Sequence, residues 1–512
     1  MARASGPATA GLLTGEFTHA ASGVHYRLLL RDGKAYLAYS RDTTDIDRIL
    51  HGEVQLRYFV GSGMRGRTYL FENDGFWFES PVNWYGKKRV WDMAPAYGNA
   101  KRMPFTLPVD ADCLHCHASG VQTSLPGARN HFPAAPFLHA GITCEACHGD
   151  PAAHLAQGGK GPILNPAKLS PARRDSICLQ CHLEGEVAVN RLGRSLSSFR
   201  PGDELYNDVT YYVHQGEIGA HGRASSQWEA LLQSACKRKS GDRMTCTTCH
   251  DAHSTPAAAE RVSFYRGKCL GCHTGAKFSR RHFPQQPDCA SCHMPREPTE
   301  DIAHEQVTDH RIQIPTPGAL RSEGAPALQP PSSKLVPIDG APSTPRDLGL
   351  AYAQMAEHGN RRAGERAMQL LQQAEHEGGA AAHDPDLHTE LGFLDQMSGD
   401  LNAAAEEYEI ALRALPADGT AAGDLAVLDA HAGKVTTAVD LWRTAFQENP
   451  GVTAAGIDLA VGECALGNPQ AAIAALHRVL SFSPDDGKAR QLLNAIAGGI
   501  QYCAAPAPAQ HR

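Results

Sequence analysis

Between residues 25 and 78 apolar and polar positions alternate in short runs. His25 to Leu30 and Ala35 to Tyr39 flank Arg31-Asp-Gly-Lys34, a pattern that predicts a β-hairpin. Val54 to Val60, Arg67 to Phe71 and Phe76 to Phe78 read as further strands, with Glu72-Asn-Asp-Gly75 as a second turn. Aromatic side chains crowd this stretch: Tyr58, Phe59, Tyr69, Phe71, Phe76, Trp77, Phe78, Trp84, Tyr85 and Trp91. At strand spacing they are expected in a core, while the segment can still cover one face of a group bound downstream. Residues 15–105 are therefore expected to form a small β-rich domain.

The pattern then changes. Residues 106–312 are rich in Gly, Pro and polar side chains and have few long periodic apolar runs. Short helices are predicted at Asp175 to Cys181, Gln227 to Lys237 and Arg261 to Cys269, joined by irregular loops. Residues 313–345 hold eight prolines and predict an extended linker. From 346 to 498 a repeat emerges. Pro416, Pro450 and Pro484 are spaced by 34, as are Gly399, Gly433 and Gly467, and Leu391, Leu425 and Leu459. Ala404, Ala438 and Ala472 share the period, and so do Tyr408, Trp442 and Leu476. Paired helices with a glycine turn and a closing proline at this period are the tetratricopeptide pattern. Arg346 to Gly378 reads as a weaker first unit.

Charge narrows the partners. A net charge of −7 and a pI near 6.4 argue against nucleic acid. No stretch approaches the length of a transmembrane helix. The first fifteen residues hold no apolar run of signal-peptide length.

The chemistry lies in the cysteines. Cys113-Leu-His-Cys116-His117, Cys144-Glu-Ala-Cys147-His148, Cys178-Leu-Gln-Cys181-His182, Cys246-Thr-Thr-Cys249-His250, Cys269-Leu-Gly-Cys272-His273 and Cys289-Ala-Ser-Cys292-His293 are six Cys-x-x-Cys-His pentapeptides. This is the attachment pattern of c-type haem: two thiols add to the two vinyl groups, and the adjacent His becomes the proximal axial ligand. Structural zinc also uses Cys-x-x-Cys, but gives no reason for a His after every second Cys. Disulfides or a thiol redox motif fit worse. Six covalent haems are expected, in a thin protein core that they would fill. Cys236, Cys464 and Cys503 remain as small buried side chains or free thiols. Haem attachment by thioether places the chain in the periplasm or outside the cell.

A second axial ligand closes an iron for electron transfer, whereas an open position permits chemistry on a small molecule. Outside the six proximal residues, the first 312 positions hold thirteen His, enough to close every site. Cys144-Glu-Ala-Cys147-His148-Gly149 followed by His154 resembles the Cys-x-x-Cys-His-Gly-Pro-Gly-x-x-His element of multihaem cytochromes c of the nitrogen-cycle (cytochrome c-552/4-like) superfamily. Asp150-Pro151 here replaces Pro-Gly. Thr245-Cys246 to His253 resembles its Thr-Cys-x-x-Cys-His-Asp-Pro-His element, with Ala252 for Pro. Cys289 to Pro295, His304 and Thr308-Asp-His310-Arg-Ile312 resemble the end of the haem domain in cytochromes that continue into tetratricopeptide repeats. The resemblance implies closely stacked haem pairs, with distal ligands at His154, His253, His282, His304 and His310. For the sixth, His139 is favoured over His131, His115, His221 and His51. Arg173, Arg174, Arg243, Arg266, Lys268, Arg280 and Arg281 are expected to neutralise haem propionates.

The expected fold class is multidomain: a small N-terminal β-rich segment (15–105), an irregular, mostly α multihaem cytochrome c domain (106–312), the linker (313–345) and a C-terminal α-solenoid of tetratricopeptide repeats (346–498). The expected function is electron transfer along closely spaced bis-His haems, with the repeats docking a redox partner protein. The alternative is a multihaem oxidoreductase acting on a small nitrogen or sulfur oxyanion at one open haem. All six motifs keep His, which lowers that alternative. A polymerising cytochrome fits least, because the repeats add bulk without haem.

Overall fold

The computed structural model describes residues 4–45, 48–61, 65–215, 226–274, 288–296, 307–314, 334–498 and 503. They form two compact units. One combines residues up to 141 with those from 364 onward; the other holds 142–363.

The first unit begins with an antiparallel sheet. Its strands are β1 (Ser5–Pro7), β2 (Gly15–Thr18), β3 (His25–Arg31), β4 (Lys34–Arg41), β5 (Leu50–Val60), β6 (Gly66–Asn73), β7 (Phe76–Tyr85) and β8 (Val90–Met93). They pair in sequence order from β2 to β8, and β1 adds to β5. The two turns expected from sequence are present. Asp32-Gly33 and Asp74-Gly75 have positive φ throughout, the conformation a two-residue hairpin needs. Strand β1 lies before the expected boundary at residue 15. The sheet curls until Trp91 Nε1 donates to the Leu13 carbonyl at 3.0 Å. Its inner face buries Tyr26, Leu28, Leu37, Tyr69, Phe71, Phe76, Phe78 and Trp91, so most of the aromatics are core as expected. Helix α1 (Ala111–His115) and a ribbon of β9 (Ala118–Val121) and β10 (Phe137–Ala140) follow. Leu114, Ala118 and Phe137 pack there on Leu70 and Trp77.

The second unit contains α2 (Glu145–His148), α3 (Ala152–Ala156), α4 (Pro171–His182), β11 (Val187–Asn190), β12 (Val209–His214), α5 (Gln227–Gln233), α6 (Ala235–Ser240), α7 (Cys246–Cys249), α8 (Arg261–Leu270), α9 (Cys289–His293), β13 (Leu335–Pro337) and α10 (Pro345–Glu357). The helix expected over Gln227 to Lys237 breaks at Ser234. That residue is extended, with ψ 141, and its side chain caps the next helix at Lys237 N. Part of the expected linker is also structured. β13 pairs with β12, and Ile338 is 1% exposed in the core with Leu179, Phe199, Leu205 and Trp228. Sheet pairing overrides the proline content there, because Pro337 is the last residue of an edge strand. Helix α10, expected within the weak first repeat, packs against this sheet. Tyr352 Oη accepts from Leu335 N at 2.8 Å, and Asp347 is ion-paired to Arg191 and Arg346.

After α11 (Arg361–Glu377) come the regular helical repeats: α12 (Pro385–Ser398) with α13 (Leu401–Ala414), α14 (Gly419–His431) with α15 (Val435–Glu448), and α16 (Thr453–Ala465) with α17 (Pro469–Phe482), closed by α18 (Gly487–Ala497). Leu391, Leu425 and Leu459 are buried, and Ala404, Ala438 and Ala472 are 0% exposed. Gly399, Gly433 and Gly467 turn each pair with positive φ.

The sheet and the repeats share one unit because the chain between them tracks the loops that join successive repeats. These loops lie at Ala417, Gly451 and Asp485, again 34 apart. Gly127 packs on the Ala417 carbonyl, Gly451 on Phe78 and Thr106, and Gly487 on the Arg102 guanidinium. Phe482 of α17 enters the core of the sheet. Asp485, 1% exposed, is gripped by Arg41 of β4 through both guanidinium arms and accepts from Met103 N at 2.8 Å. Truncating one partner of a buried, hydrogen-bonded ion pair leaves the other charge uncompensated. Asp485→Ala should therefore lower unfolding stability by about 3–5 kcal/mol. In urea denaturation, Arg41→Ala should cost a similar amount and the double variant little more than either; full additivity would contradict the coupling.

Glu79 of β7 is pushed up to about 7, chiefly by burial, against weaker help from Thr68 and Asn83. A carboxyl raised above its unfolded value favours the protonated fold. Its stability contribution is present below the unfolded carboxyl range and is lost as pH rises through about 7. Glu79→Gln should flatten the fall in melting temperature between pH 5 and 8; an unchanged slope would contradict it.

Candidate haem-binding site

Five motifs lie in the second unit and the first lies in the unit with the sheet. Each sits on or beside a helix, and the first, fourth and sixth have a polar N-cap at the motif itself. The Asp110 carboxylate accepts from Cys113 N at 2.8 Å, Thr245 forms a capping box with Thr248, and Asp288 accepts from Ser291 N at 3.2 Å. A cap fixes the first helical turn, and so the spacing of the two thiols. All twelve motif cysteines are free thiols. Among the described residues they form no cluster of three or more metal ligands; the group that does is Glu375, His388 and Glu407, in the repeats.

Successive motifs of the second unit adjoin one another in sequence order. Gln180 Nε2, inside the third motif, donates to the Ala146 carbonyl, inside the second, at 2.9 Å. The Cys178 and Cys246 side chains of the third and fourth motifs lie side by side. Asp175, 3% exposed, accepts from Cys246 N at 3.0 Å and so ties α4 to α7. The Cys269 and Cys289 side chains of the fifth and sixth motifs are likewise neighbours. Neither Asp175 nor Gln180 stood out in sequence as a positioning residue, because their partners lie 71 and 34 residues away.

The histidines give the test of fit. The rings of His148, proximal in the second motif, and His253 have centroids 6.0 Å apart and planes 18° apart. Those of His250, proximal in the fourth motif, and His310 are 6.2 Å and 33° apart. Two imidazoles on one metal ion, with metal–nitrogen bonds of about 2 Å, place their ring centres about 6 Å apart. Contacting aromatic rings span centroid separations of about 4.5–7 Å, so the spacing admits a shared iron without requiring one. Both pairs thus have the separation that a shared iron needs, and each joins a proximal residue to an expected distal one.

The tautomers agree. His148 Nδ1 donates to the Leu164 carbonyl at 2.7 Å, His154 Nδ1 to Gly161 at 2.9 Å, His293 Nδ1 to Gln313 at 2.7 Å and His310 Nδ1 to Thr308 at 2.7 Å. A carbonyl only accepts, so Nδ1 carries a proton and Nε2 is the nitrogen left to face a metal. Burial holds His182, His250 and His310 below the ordinary histidine range, favouring the neutral, ligating form. The residues present fit c-type haem.

Other candidates fall elsewhere. His139 is exposed on β10 and registers with Ser119 of β9. His115 lies in α1, within its own motif. His131 stacks on Phe76 at 4.1 Å, and exposed His51 pairs with Asp42 at 3.1 Å. His117, His182 and His273 lie at the ends of their motifs, with His273 exposed. His282, His304, His221, Arg280 and Arg281 lie outside the described residues. Of the basic residues expected beside propionates, Arg173 is 4.0 Å from Glu204 and Arg174 donates to the Leu169 carbonyl at 3.1 Å. Cys236 is a free thiol, as expected, but Cys464 and Cys503 form a disulfide, contrary to their expected free state. Their sequence separation of 39 hides a proximity that the packing of Cys503 on the repeats creates.

The family model for cytochrome c554 and c-prime matches residues 89–149, which include the first two motifs. Over 186 residues the chain is 26% identical to the multihaem cytochrome MtrA of Shewanella baltica (strain OS185). That match covers 32% of this chain and 53% of MtrA, so the chain spans about half the length of this curated relative. Among solved structures, MamA of AMB-1 is 23% identical over 31% of this chain and 88% of its own, with a TM-score of 0.27. A tetratricopeptide repeat protein from Parabacteroides merdae is 20% identical over 30% of this chain and 62% of its own, also at 0.27. These two likenesses are too slight to carry an argument; the repeats rest on their own geometry.

His253→Ala and His310→Ala should each convert one low-spin iron to high spin in the electron paramagnetic resonance spectrum of the oxidised protein. His51→Ala should change nothing. An unchanged spectrum in either of the first two would refute the corresponding pair.

Proposed function

We propose that the chain is an exported hexahaem c-type cytochrome that carries electrons along closely spaced, mostly bis-His haems, with the helical repeats docking its redox partner. The observation that carries this reading is the pair of imidazole couples, His148 with His253 and His250 with His310. Haem bound at such motifs supplies a one-electron iron couple.

The chain's own residues supply the rest. Six cysteine pairs fix the attachment points. Carbonyls of Leu164, Gln313 and Thr308 orient His148, His293 and His310 with Nε2 as the lone-pair nitrogen. Two protein nitrogens at one iron leave no position for a substrate, which favours electron transfer over catalysis. The contacts of the second motif with the third, the third with the fourth and the fifth with the sixth, and the packing of α7 on α8, support a short electron path through the second to sixth motifs. Likeness to a multihaem cytochrome supports the same role. The Cys464–Cys503 disulfide suits an oxidising compartment. Among the described residues no helix is long and apolar enough to cross a membrane.

Intact mass of the denatured holoprotein should show six haem additions, and the oxidised spectrum should be mainly low-spin. A count below six would overturn the hexahaem reading. A native high-spin signal that shifts with nitrite or hydroxylamine would favour an oxidoreductase with one open haem.

A further inference from the structure

The chain's negative charge is concentrated in the repeats. Residues 364–498 hold 20 Asp and Glu against 7 Lys and Arg, a net of −13 in a chain whose total is −7. The remainder is therefore net positive. Within this unit one edge of the repeat stack is already occupied, since the loops at Ala417, Gly451 and Asp485 are covered by the chain that follows the sheet.

The first helix of each repeat presents another face. On α12 it carries Glu390, Phe393 and Met397; on α14, Asp424, Val427 and His431; on α16, Asp458, Val461 and Ala465. Positions three and seven apart share one side of a helix, and each triplet recurs after 34 residues. Met397 is 49% and Val461 47% exposed, while Phe393 and Val427 are half-buried. An apolar row thus runs across three repeats beside a row of carboxylates. Burial lifts Asp424 and Asp458 above the ordinary carboxylate range, outweighing the Tyr408 hydroxyl beside Asp424 and Lys488 beside Asp458, so a further cation brought against this row would relieve desolvated negative charge.

We propose that this face docks a cationic protein segment, one with lysine or arginine bordering an apolar centre. The proposal rests on the reading that the repeats dock a partner, and it specifies that partner's chemistry. A net of −13 steers polycations in and repels acidic proteins, which sets both encounter rate and choice of partner. The row Phe393, Val427 and Val461 offers the water-excluding centre that a charged rim alone lacks.

The full-length holoprotein is titrated, by fluorescence anisotropy at low and moderate salt, with three labelled helical peptides that pair Leu with Lys, Ser or Glu. The Lys/Leu peptide should bind about tenfold or more tighter than the Ser/Leu peptide, and should weaken with salt. Glu390→Gln with Asp458→Asn should weaken it about tenfold, as should Val461→Asp. Asp424 is left intact because its carboxylate meets the Tyr408 hydroxyl. Glu365→Gln with Glu377→Gln on α11, the same change of charge elsewhere, should leave binding unchanged. Equal loss in that control, or no loss in the face variants, would overturn the assignment of the face. Preference for the Glu/Leu peptide would overturn the cationic partner and leave docking by the repeats standing. Binding of none of the three would overturn both.

Discussion

On the haem reading proposed above, the second unit answers to one constraint: an imidazole must present its Nε2 lone pair in a fixed direction. A histidine free to rotate, or protonated, cannot do so. The chain meets the constraint with backbone carbonyls, which hold Nδ1 of His148, His154, His293 and His310, and with burial, which keeps His182, His250 and His310 neutral. The carbonyls come from the irregular stretches at Gly161, Leu164, Thr308 and Gln313. Regular helix would have used those carbonyls for its own hydrogen bonds. The scarcity of long helices and strands around the motifs therefore has a chemical reason.

The same logic explains where the second unit spends its apolar residues. The longest interval between motifs, from His182 to Cys246, builds a sheet and a buried group of Leu183, Phe199, Leu205, Val209, Tyr211 and Trp228. Helix α4 joins this core through Leu179 while carrying Cys178 and Cys181 on the same two turns. One protein core thus anchors the third motif, and Asp175 extends the anchorage to the fourth.

Much of this was legible in sequence wherever the cause is local. The hairpin turns at Asp32-Gly33 and Asp74-Gly75 need positive φ, and the chain has Gly at the second position of each. The motifs need only five consecutive residues. The repeat shows itself because each unit buries the same Leu and Ala positions. What was illegible is non-local. Nothing near His253 marks His148, 105 positions earlier, as its ring neighbour. Strand β13 lies in a proline-rich stretch and exists only because β12 offers an open edge. Ser234 splits a pattern that reads as one helix, since its cap competes with helix continuation. Cys464 and Cys503 show no spacing rule at all.

The sheet and the repeats belong to one compact unit, which gives the repeats a structural task of their own. A solenoid whose only task is to recruit a partner needs no fixed attachment to the rest of the chain. Here the loops at Ala417, Gly451 and Asp485 contact residues between Arg102 and Gly127, a span that contains the first motif, Cys113 to His117. The 34-residue period that stacks the helices also spaces these loops evenly, so the array offers a ruled edge for an otherwise irregular segment. With Phe482 in the sheet's core and Arg41 gripping Asp485, the sheet and the repeats form one compact unit, and the first motif is held against it through Leu114, Val109 and Trp77. The repeats therefore have a structural task on one edge, and only the faces turned from that edge remain for a partner.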